Sequence, residues 1–356
     1  MKHPLYRDIY GTLRREILAG EYERAQKFPS QSELVARFGV SRQTVCRAML
    51  DMKRAGLVTT RAGAPTRLTK FALHSSGTIG IVDPGTEFGG VLSSICRELA
   101  KIGERSGWKV LWERIASVSP RKRVAEAKRI VANFVKGRTV GVFIQPLEYQ
   151  KDNVASNAAL LSQLEKAGIP VVLLDYDMTP SPRRSRYDLV GMDNLVAGLA
   201  VGRHLIERGC RTIVFCLPPG SPPTVVDRMR GVASAVIESG GNWSLHRNVF
   251  ESGLDACGPV VSFLRRTRAD AVVCGNDFLA VRVQDMIVKS KFSSGLCFAG
   301  FDGTQLAAER GILTVRQPQA AIAETAFGLL LARIRNPGGA VRKVNIDGVL
   351  IDFSRS

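Results

Sequence analysis

PSQSELVARFGVSRQTVCRAMLDMKRAGLVTTRAGAPTR, residues 29–67, decides how the first part of this chain folds. Ser30 followed by Glu33 is a capping box: the hydroxyl takes an orphan helix N–H and the carboxylate reaches back. The helix it opens buries Leu34, Val35 and Phe38 and stops at Gly39. Val40 then turns inward, Ser41 caps a second helix, and Val45, Ala48, Met49 and Met52 carry its apolar face to a stop at Gly56. Residues 57–60 and 66–69 fit two short strands around the turn at 62–65, forming a basic wing. This layout is a winged helix-turn-helix, and its second helix, opening on Ser41, Arg42, Gln43 and Thr44, is shaped to enter a DNA major groove.

Upstream, Tyr6, Ile9, Tyr10, Leu13 and Ile17 recur at three- and four-residue steps, one face of a further helix that stops near Gly20. Residues 1–70 hold 14 Lys+Arg against 6 Asp+Glu, whereas the remaining four-fifths of the chain holds 36 against 26. The net charge of +18 is therefore densest in the head, as contact with phosphates requires.

The head resembles the GntR family of bacterial regulators in its words I-Y-x-x-L-R-x-x-I-x-x-G, F-P-S-x-x-E-L, F-G-V-S-R-x-T-V and G-L-V. Carried over by position, the resemblance implies DNA contacts from Ser32, Ser41, Arg42, Gln43 and Thr44 and from Gly63 in the wing. Gln43 suits a bidentate pair with adenine, while Arg61 and Arg67 suit phosphates. One departure stands out. The family places arginine after T-V, where this chain has Cys46, and Arg47 beside it is the residue able to replace that contact.

Residues 71–77 read as a connector, and from 78 onward apolar strands alternate with helix-length amphipathic stretches. The strands are TIGIV (78–82), KVLW (109–112), VGVFIQ (140–145), PVVLLD (170–175), LVGMD (189–193), TIVFCL (212–217), AVVCGND (271–277), LCFAGFD (296–302) and LTVRQ (313–317). Continuous apolar strands separated by helices imply parallel sheets covered on both faces. Asp83, Gln145, Asp175, Asp193, Asp277, Asp302 and Gln317 close seven of them, and ligands of open α/β sheets bind just past the carboxyl ends of strands. Asp193 and Asp277 also suit plain helix caps.

This second region is similar to the ligand-binding core of the lactose-repressor family, through G-I-P-V-V-L-L-D, M-D-N, H-L-I-E-R-G-C-R-T-I, D-R-M-R-G-V, V-V-C-G-N-D, F-A-G-F-D and L-T-V-R-Q-P. The resemblance implies an α/β fold of the type I periplasmic-binding-protein kind, with two Rossmann-like parallel-sheet subdomains behind the winged head. Its boundaries are a head at 1–70, a linker at 71–77 and an effector domain at 78–356. Subdomain one is expected at about 78–190 plus 318–336, and subdomain two at about 191–317 plus 337–356. Effector contacts transfer to Asp175, Arg228, Asn276, Asp302 and Gln317, a set of donors and acceptors suited to a polyol. The loop DPGTEFGG, which departs from the family's wording, adds Asp83 and Phe88, the latter as an aromatic platform.

Together these features imply a regulator, most often a repressor of carbohydrate use. It would grip double-stranded DNA as a homodimer on a pseudo-palindromic operator and respond to a sugar or sugar derivative. A GntR-type head fused to an aminotransferase-like domain is the enzymatic alternative, and it would present a lysine for pyridoxal phosphate. No such lysine context, nucleophile elbow, P-loop or H-E-x-x-H is present, so no catalytic residue, cofactor or metal is assigned. A transport-type sugar-binding protein is opposed by the basic head. Seven scattered cysteines, a charged N-terminus without an apolar leader and the lack of any long apolar run imply a cytoplasmic chain without membrane contact.

Overall fold

The computed structural model describes residues 6–18, 21–22, 28–60, 64–69, 77–85, 90–117, 119–137, 139–148, 153–179, 183–240, 244–249, 257–290 and 295–355. Capping decides the head. α1 (Tyr6–Leu18) packs on α3 (Arg42–Arg54), and α2 (Gln31–Phe38) opens on Ser30 with both halves of the capping box formed. α2 ends at Gly39 in a left-handed turn, and the Ser41 hydroxyl accepts from Thr44 N to start α3. β1 (Val58–Thr59) and β2 (Arg67–Leu68) pair antiparallel as the wing, Val58 opposite Leu68. Ile9, Leu13, Leu34, Val45, Ala48 and Met52 are sealed between the three helices.

The larger part holds two six-stranded sheets. The first contains β3 (Thr78–Asp83), β4 (Lys109–Arg114), β5 (Gly141–Ile144), β6 (Val171–Leu174) and β7 (Asp188–Met192). α4 (Val91–Arg105), α5 (Pro120–Lys136) and α6 (Asn153–Lys166) lie between its strands in sequence. The second contains β8 (Thr212–Leu217), β9 (Ser244–Val249), β10 (Ala271–Cys274), β11 (Cys297–Ala299) and β12 (Leu313–Arg316), interleaved with α8 (Pro223–Glu238), α9 (Cys257–Thr267), α10 (Asp277–Lys289) and α11 (Gln305–Glu309). α7 (Asn194–Glu207) links the two sheets. α12 (Gln319–Arg335) follows β12, and β13 (Lys343–Ile346) and β14 (Val349–Asp352) close the chain.

Strand order is β13-β7-β6-β5-β3-β4 in the first sheet and β14-β12-β11-β10-β8-β9 in the second. Every pairing in the two sheets is parallel except β12 with β14. Both faces of each sheet are covered, which is why β5, β6 and β10 are apolar at every position. In the first sheet Ile79 and Ile81 face Ile95, Leu99 and Phe327, while Val82, Val142 and Leu173 face Phe134, Leu160 and Leu164.

The C-terminal strands depart from the sequence-based assignment, which gave both to the second subdomain. β13 joins the first sheet beside β7, and only β14 joins the second, beside β12. The chain therefore crosses between lobes after Met192, after Arg316 and again between Ile346 and Val349. The crossings are in contact: a Cβ at Gly348 would stand 2.5 Å from Val315 Cγ1 and 2.8 Å from Met192 Sδ. β9 is a further strand that the sequence pattern did not mark.

α12 spans the first lobe from the inter-lobe crossing to the head. It packs on α4, and the head's apolar core runs into the first lobe's core without a break. A Cβ at Gly56 of the head would meet the Arg335 side chain at 3.6 Å, and Arg14 Nη2 donates to Ser106 O at 3.2 Å. Among the described residues, no helix is long and apolar enough to cross a membrane.

Candidate functional site

Two sites emerge at opposite ends of α12. In the head, Ser41, Arg42, Gln43, Cys46 and Arg47 are exposed along one side of α3, and Thr44 is half-buried where its hydroxyl meets Ser41 Oγ at 2.8 Å. The other side of the helix buries Val45, Ala48, Met49 and Met52, so the polar side is left for a partner. Ser32 on α2 and Arg67 on β2 are also exposed. The Arg47 guanidinium lies over the Tyr6 ring at 4.3 Å, and the Cys46 thiol donates to Gln31 Oε1 at 3.3 Å. Arg61, Gly63 and, in the other site, Phe88 lie outside the described residues.

The second site lies past the carboxyl ends of the strands, between the lobes, around a cavity of about 110 Å³. Pro84, Arg123, Gln145, Glu148 and Asp175 line it from the first lobe. Arg228, Asn276, Asp302 and Gln317 line it from the second lobe and the crossing. This volume is below the roughly 300 Å³ at which ligand pockets usually begin, so the cleft suits a small ligand or lobes that part to admit one.

Arg228 is the centre of the site, and two glycines put it there. α7 and α8 pack backbone to backbone: a Cβ at Gly198 would lie 2.0 Å from Arg228 O, and one at Gly231 would lie 2.1 Å from Leu195 O. That approach aims the guanidinium into the cleft, where Nε donates to Asn194 Oδ1 at 2.8 Å and Nη1 to Gly275 O at 2.5 Å. Nη2 lies 3.9 Å from Asp302 Oδ1, and the Phe301 ring sits beneath at 4.8 Å. Gln317 Nε2 donates to the same Asp302 oxygen at 2.8 Å. Asp175 and Asp302 hold left-handed backbone, φ 71° and 122°, strain that a side chain bears only where its surroundings impose it.

Burial dominates the electrostatics. It pushes the Glu148 carboxyl up to about 8, with the charge of Asp175 adding to it and Gln145, Arg228 and Arg123 opposing. It likewise raises Asp175, against Arg228, and carries Asp302 up to about 7. A carboxyl raised in the folded state holds a proton that the unfolded chain has lost, so its stabilising contribution is present at low pH and disappears as pH rises through the folded value. Wild type should therefore lose stability against Glu148→Gln between about pH 5 and about pH 8.5, the gap opening by roughly 1–3 kcal/mol. Parallel melting curves for the two proteins at both ends of that range would refute this expectation.

The predicted residues divide clearly. Asp175, Arg228, Asn276, Asp302 and Gln317 come together at the cavity, although Asn276 also caps α10 by accepting from Leu279 N at 2.8 Å. Asp83 does not join them. It is fully buried and saturated by Gly85 N, Ser93 Oγ, Trp112 Nε1 and Arg114 Nε, so it ties the loop after β3 to its neighbouring strand. Asp193 caps α7 by accepting from Val196 N. Asp277 caps nothing and instead binds Thr304 N, Thr304 Oγ1 and Thr314 Oγ1. Sequence reasoning missed Glu148 and Arg123 and did not choose Gln145. Glu148 had a faint signal, a carboxylate three residues past the strand end Gln145, whereas Arg123 sits in a basic helix start that resembles any solvated turn. None of the described residues lining this cavity is a lysine.

Two facing parallel-sheet lobes with a polar cleft and three crossovers define a periplasmic-binding-protein-like core, here carrying a winged helix-turn-helix. Comparison with known proteins agrees on both parts. Residues 5–68 match the gntR family of bacterial regulatory proteins, and residues 203–352 match the periplasmic binding protein-like domain. The chain thus joins a GntR-family helix-turn-helix to a periplasmic-binding-protein-like domain.

The HTH-type transcriptional repressor PurR of Aliivibrio fischeri is 28% identical over 191 residues, 51% of this chain and 55% of that protein. PurR of Salmonella paratyphi B is 28% identical over 206 residues, 54% of this chain and 58% of that protein. The chain spans about half the length of the curated relatives it matches. A LacI family transcriptional regulator from Enterococcus faecium with bound ribose has a TM-score of 0.59 at 20% identity, covering 77% of this chain and 97% of that one. A periplasmic solute binding protein of an ABC transporter from Actinobacillus succinogenes, with bound D-allose, has a TM-score of 0.64 at 17% identity, covering 78% and 98%. These solved structures share the fold.

Proposed function

We propose that this chain is an effector-responsive, DNA-binding transcriptional regulator, a cytoplasmic repressor of a carbohydrate-utilisation operon. The observation that carries it is the presence on one chain of an exposed recognition helix and a buried polar cleft, with α12 running from one to the other. The head (1–70) reads DNA through Ser32, Ser41, Arg42, Gln43, Thr44 and Arg47, with Arg67 on phosphate. Past a connector at 71–77, the domain from 78 to 356 binds a sugar-like effector through Asp175, Arg228, Asn276, Asp302 and Gln317. Two heads of a homodimer grip the half-sites of a pseudo-palindrome. The protein acts by binding rather than by catalysis. Relatives named as repressors, and a structural neighbour holding ribose, support this assignment.

Ligand changes DNA affinity only as far as it prefers one lobe arrangement to the other. The test selects an operator from random duplexes, screens sugars, sugar phosphates and purines by thermal shift, and then titrates operator with and without each hit. A ligand that binds tightly and leaves operator affinity untouched would sink the coupling. Arg42→Ala should weaken operator binding roughly 10- to 100-fold, the worth of one good base or phosphate contact. Because Arg42 is exposed, its melting temperature should barely move. Unchanged anisotropy titrations would remove Arg42 from the interface.

A further inference from the structure

The cleft is short of donors to offer and rich in acceptors. Glu148, Asp175 and Asp302 bring three carboxylates to one cavity, against the two guanidiniums of Arg123 and Arg228. Both guanidiniums are already engaged, Arg228 with Asn194 and Gly275, Arg123 with Pro84 O at 2.8 Å and Ser117 O at 3.3 Å. Two of the three lining amides are committed as donors too, Gln145 Nε2 to Glu148 at 2.6 Å and Gln317 Nε2 to Asp302 at 2.8 Å, which leaves the Asn276 amide for a ligand hydroxyl.

What stays open is the accepting side. Gln145 is only 5% exposed, yet its Oε1 has no hydrogen-bond partner among the described residues. An acceptor buried in that state costs roughly 1–3 kcal/mol until a donor reaches it. Asp175 is held in left-handed backbone at the cavity wall, facing the same space. A phosphate or carboxylate would bring a further negative charge to three carboxyls whose protonated forms burial already favours. A neutral polyol would satisfy the acceptors without supplying the positive charge that lets those carboxyls ionise. Among the described residues no three His, Cys, Asp or Glu side chains are placed to hold a metal ion, so the geometry suits a molecular cation.

Taking the cleft as the effector site, we propose that the effector carries a protonated amine, as an amino sugar or amino polyol does, seated on Glu148, Asp175 and Gln145 Oε1. Its hydroxyls then meet Asn276 and the free Asp302 oxygen. Burial, together with the charges of Asp175 and Asp277 on these carboxyls, favours their protonated forms, opposed by Arg228 and Arg123. An arriving ammonium drives those protons off. Binding of an amine that stays protonated across the range, as 1-amino-1-deoxy-D-sorbitol does, therefore releases protons and tightens as pH rises from about 6 to about 8. The 2-amino hexoses begin to lose their own proton within that range and are compared at about pH 6.

The full-length protein is titrated calorimetrically with D-glucosamine, D-galactosamine and 1-amino-1-deoxy-D-sorbitol, each beside D-glucose, D-galactose or D-sorbitol as its neutral counterpart. At least one amine should bind about tenfold or more tightly than its counterpart. Repeating the titration in two buffers of different ionisation enthalpy should reveal the released protons. Glu148→Gln should narrow the preference to within about threefold, and the wild-type ratio stands alone if that variant folds poorly. A neutral sugar that binds as well as its amine overturns the amine while leaving the cleft an effector site. Silence from all six compounds also overturns it, and the wider ligand screen described above then decides the cleft separately.

Discussion

Gly231→Ala should cost the second lobe at least about 3 kcal/mol, although alanine is ordinarily the better helix residue by roughly 1 kcal/mol. The new methyl would sit 2.1 Å from Leu195 O and 2.5 Å from Leu199 N, and backbone cannot rotate away as a side chain does. α7 and α8 must then separate, and Arg228, on the same helix three residues earlier, leaves the cleft with them. The lobe's thermal transition should fall by roughly 6–12 °C, and ligand-induced shifts should vanish with it. Gly328→Ala is the matched control. That helical position is exposed, nothing lies within 4 Å of its Cβ, and stability should rise by roughly 0.5–1 kcal/mol. Equal melting of Gly231→Ala and wild type would mean that the two helices are not in backbone contact.

Arg228→Met is the second large effect. Methionine fills much of the space above Phe301 but leaves Asp302 and Asp175 without their compensating charge and Gly275 O without its donor. Removing one partner of a buried ionic group costs about 3–5 kcal/mol. The sign of its pH dependence follows from the raised carboxyls. At about pH 5 Asp302 carries its proton and the loss is partly relieved, whereas towards about pH 8 it is increasingly charged and the loss grows. Operator affinity of the folded variant should stay within about threefold of wild type while its response to effector disappears. A variant that still releases or tightens on DNA when ligand is added would show that Arg228 is structural alone.

Local chemistry was legible and long-range partnership was not. The capping box at Ser30, the left-handed stop at Gly39 and the cap at Ser41 depend on residues within four positions, and all three formed as written. β5, β6 and β10 were equally plain, because strands covered on both faces have no polar positions to hide them. β9 escaped because SLHRNV, on a sheet edge, interleaves polar and apolar residues as loops do. The split of β13 and β14 between two sheets was unreadable, since both strands are short and nothing local says which neighbour will accept each. The same limit explains Asp83 and Asp175. Both end apolar strands, but Trp112 and Arg114 on the adjacent strand claim the first carboxylate and leave the second at the cavity wall. Glu148 enters the cleft from a loop, with only its place three residues past Gln145 to mark it, and Arg123 enters from a helix start whose local sequence carries no mark at all.

α12 begins two residues beyond Gln317, which holds Asp302, and ends at Arg335 against Gly56 of the head. Seventeen helical residues make a rod of about 25 Å, too stiff to absorb a displacement along its length. Such a lever arm has no preferred direction of use. If closing the cleft re-aims the head, then holding the head on DNA must resist or assist closure by the same free energy. Operator DNA should therefore shift effector affinity by the very factor by which effector shifts operator affinity, so the gene's occupancy becomes a term in how sensitively the cell measures the ligand.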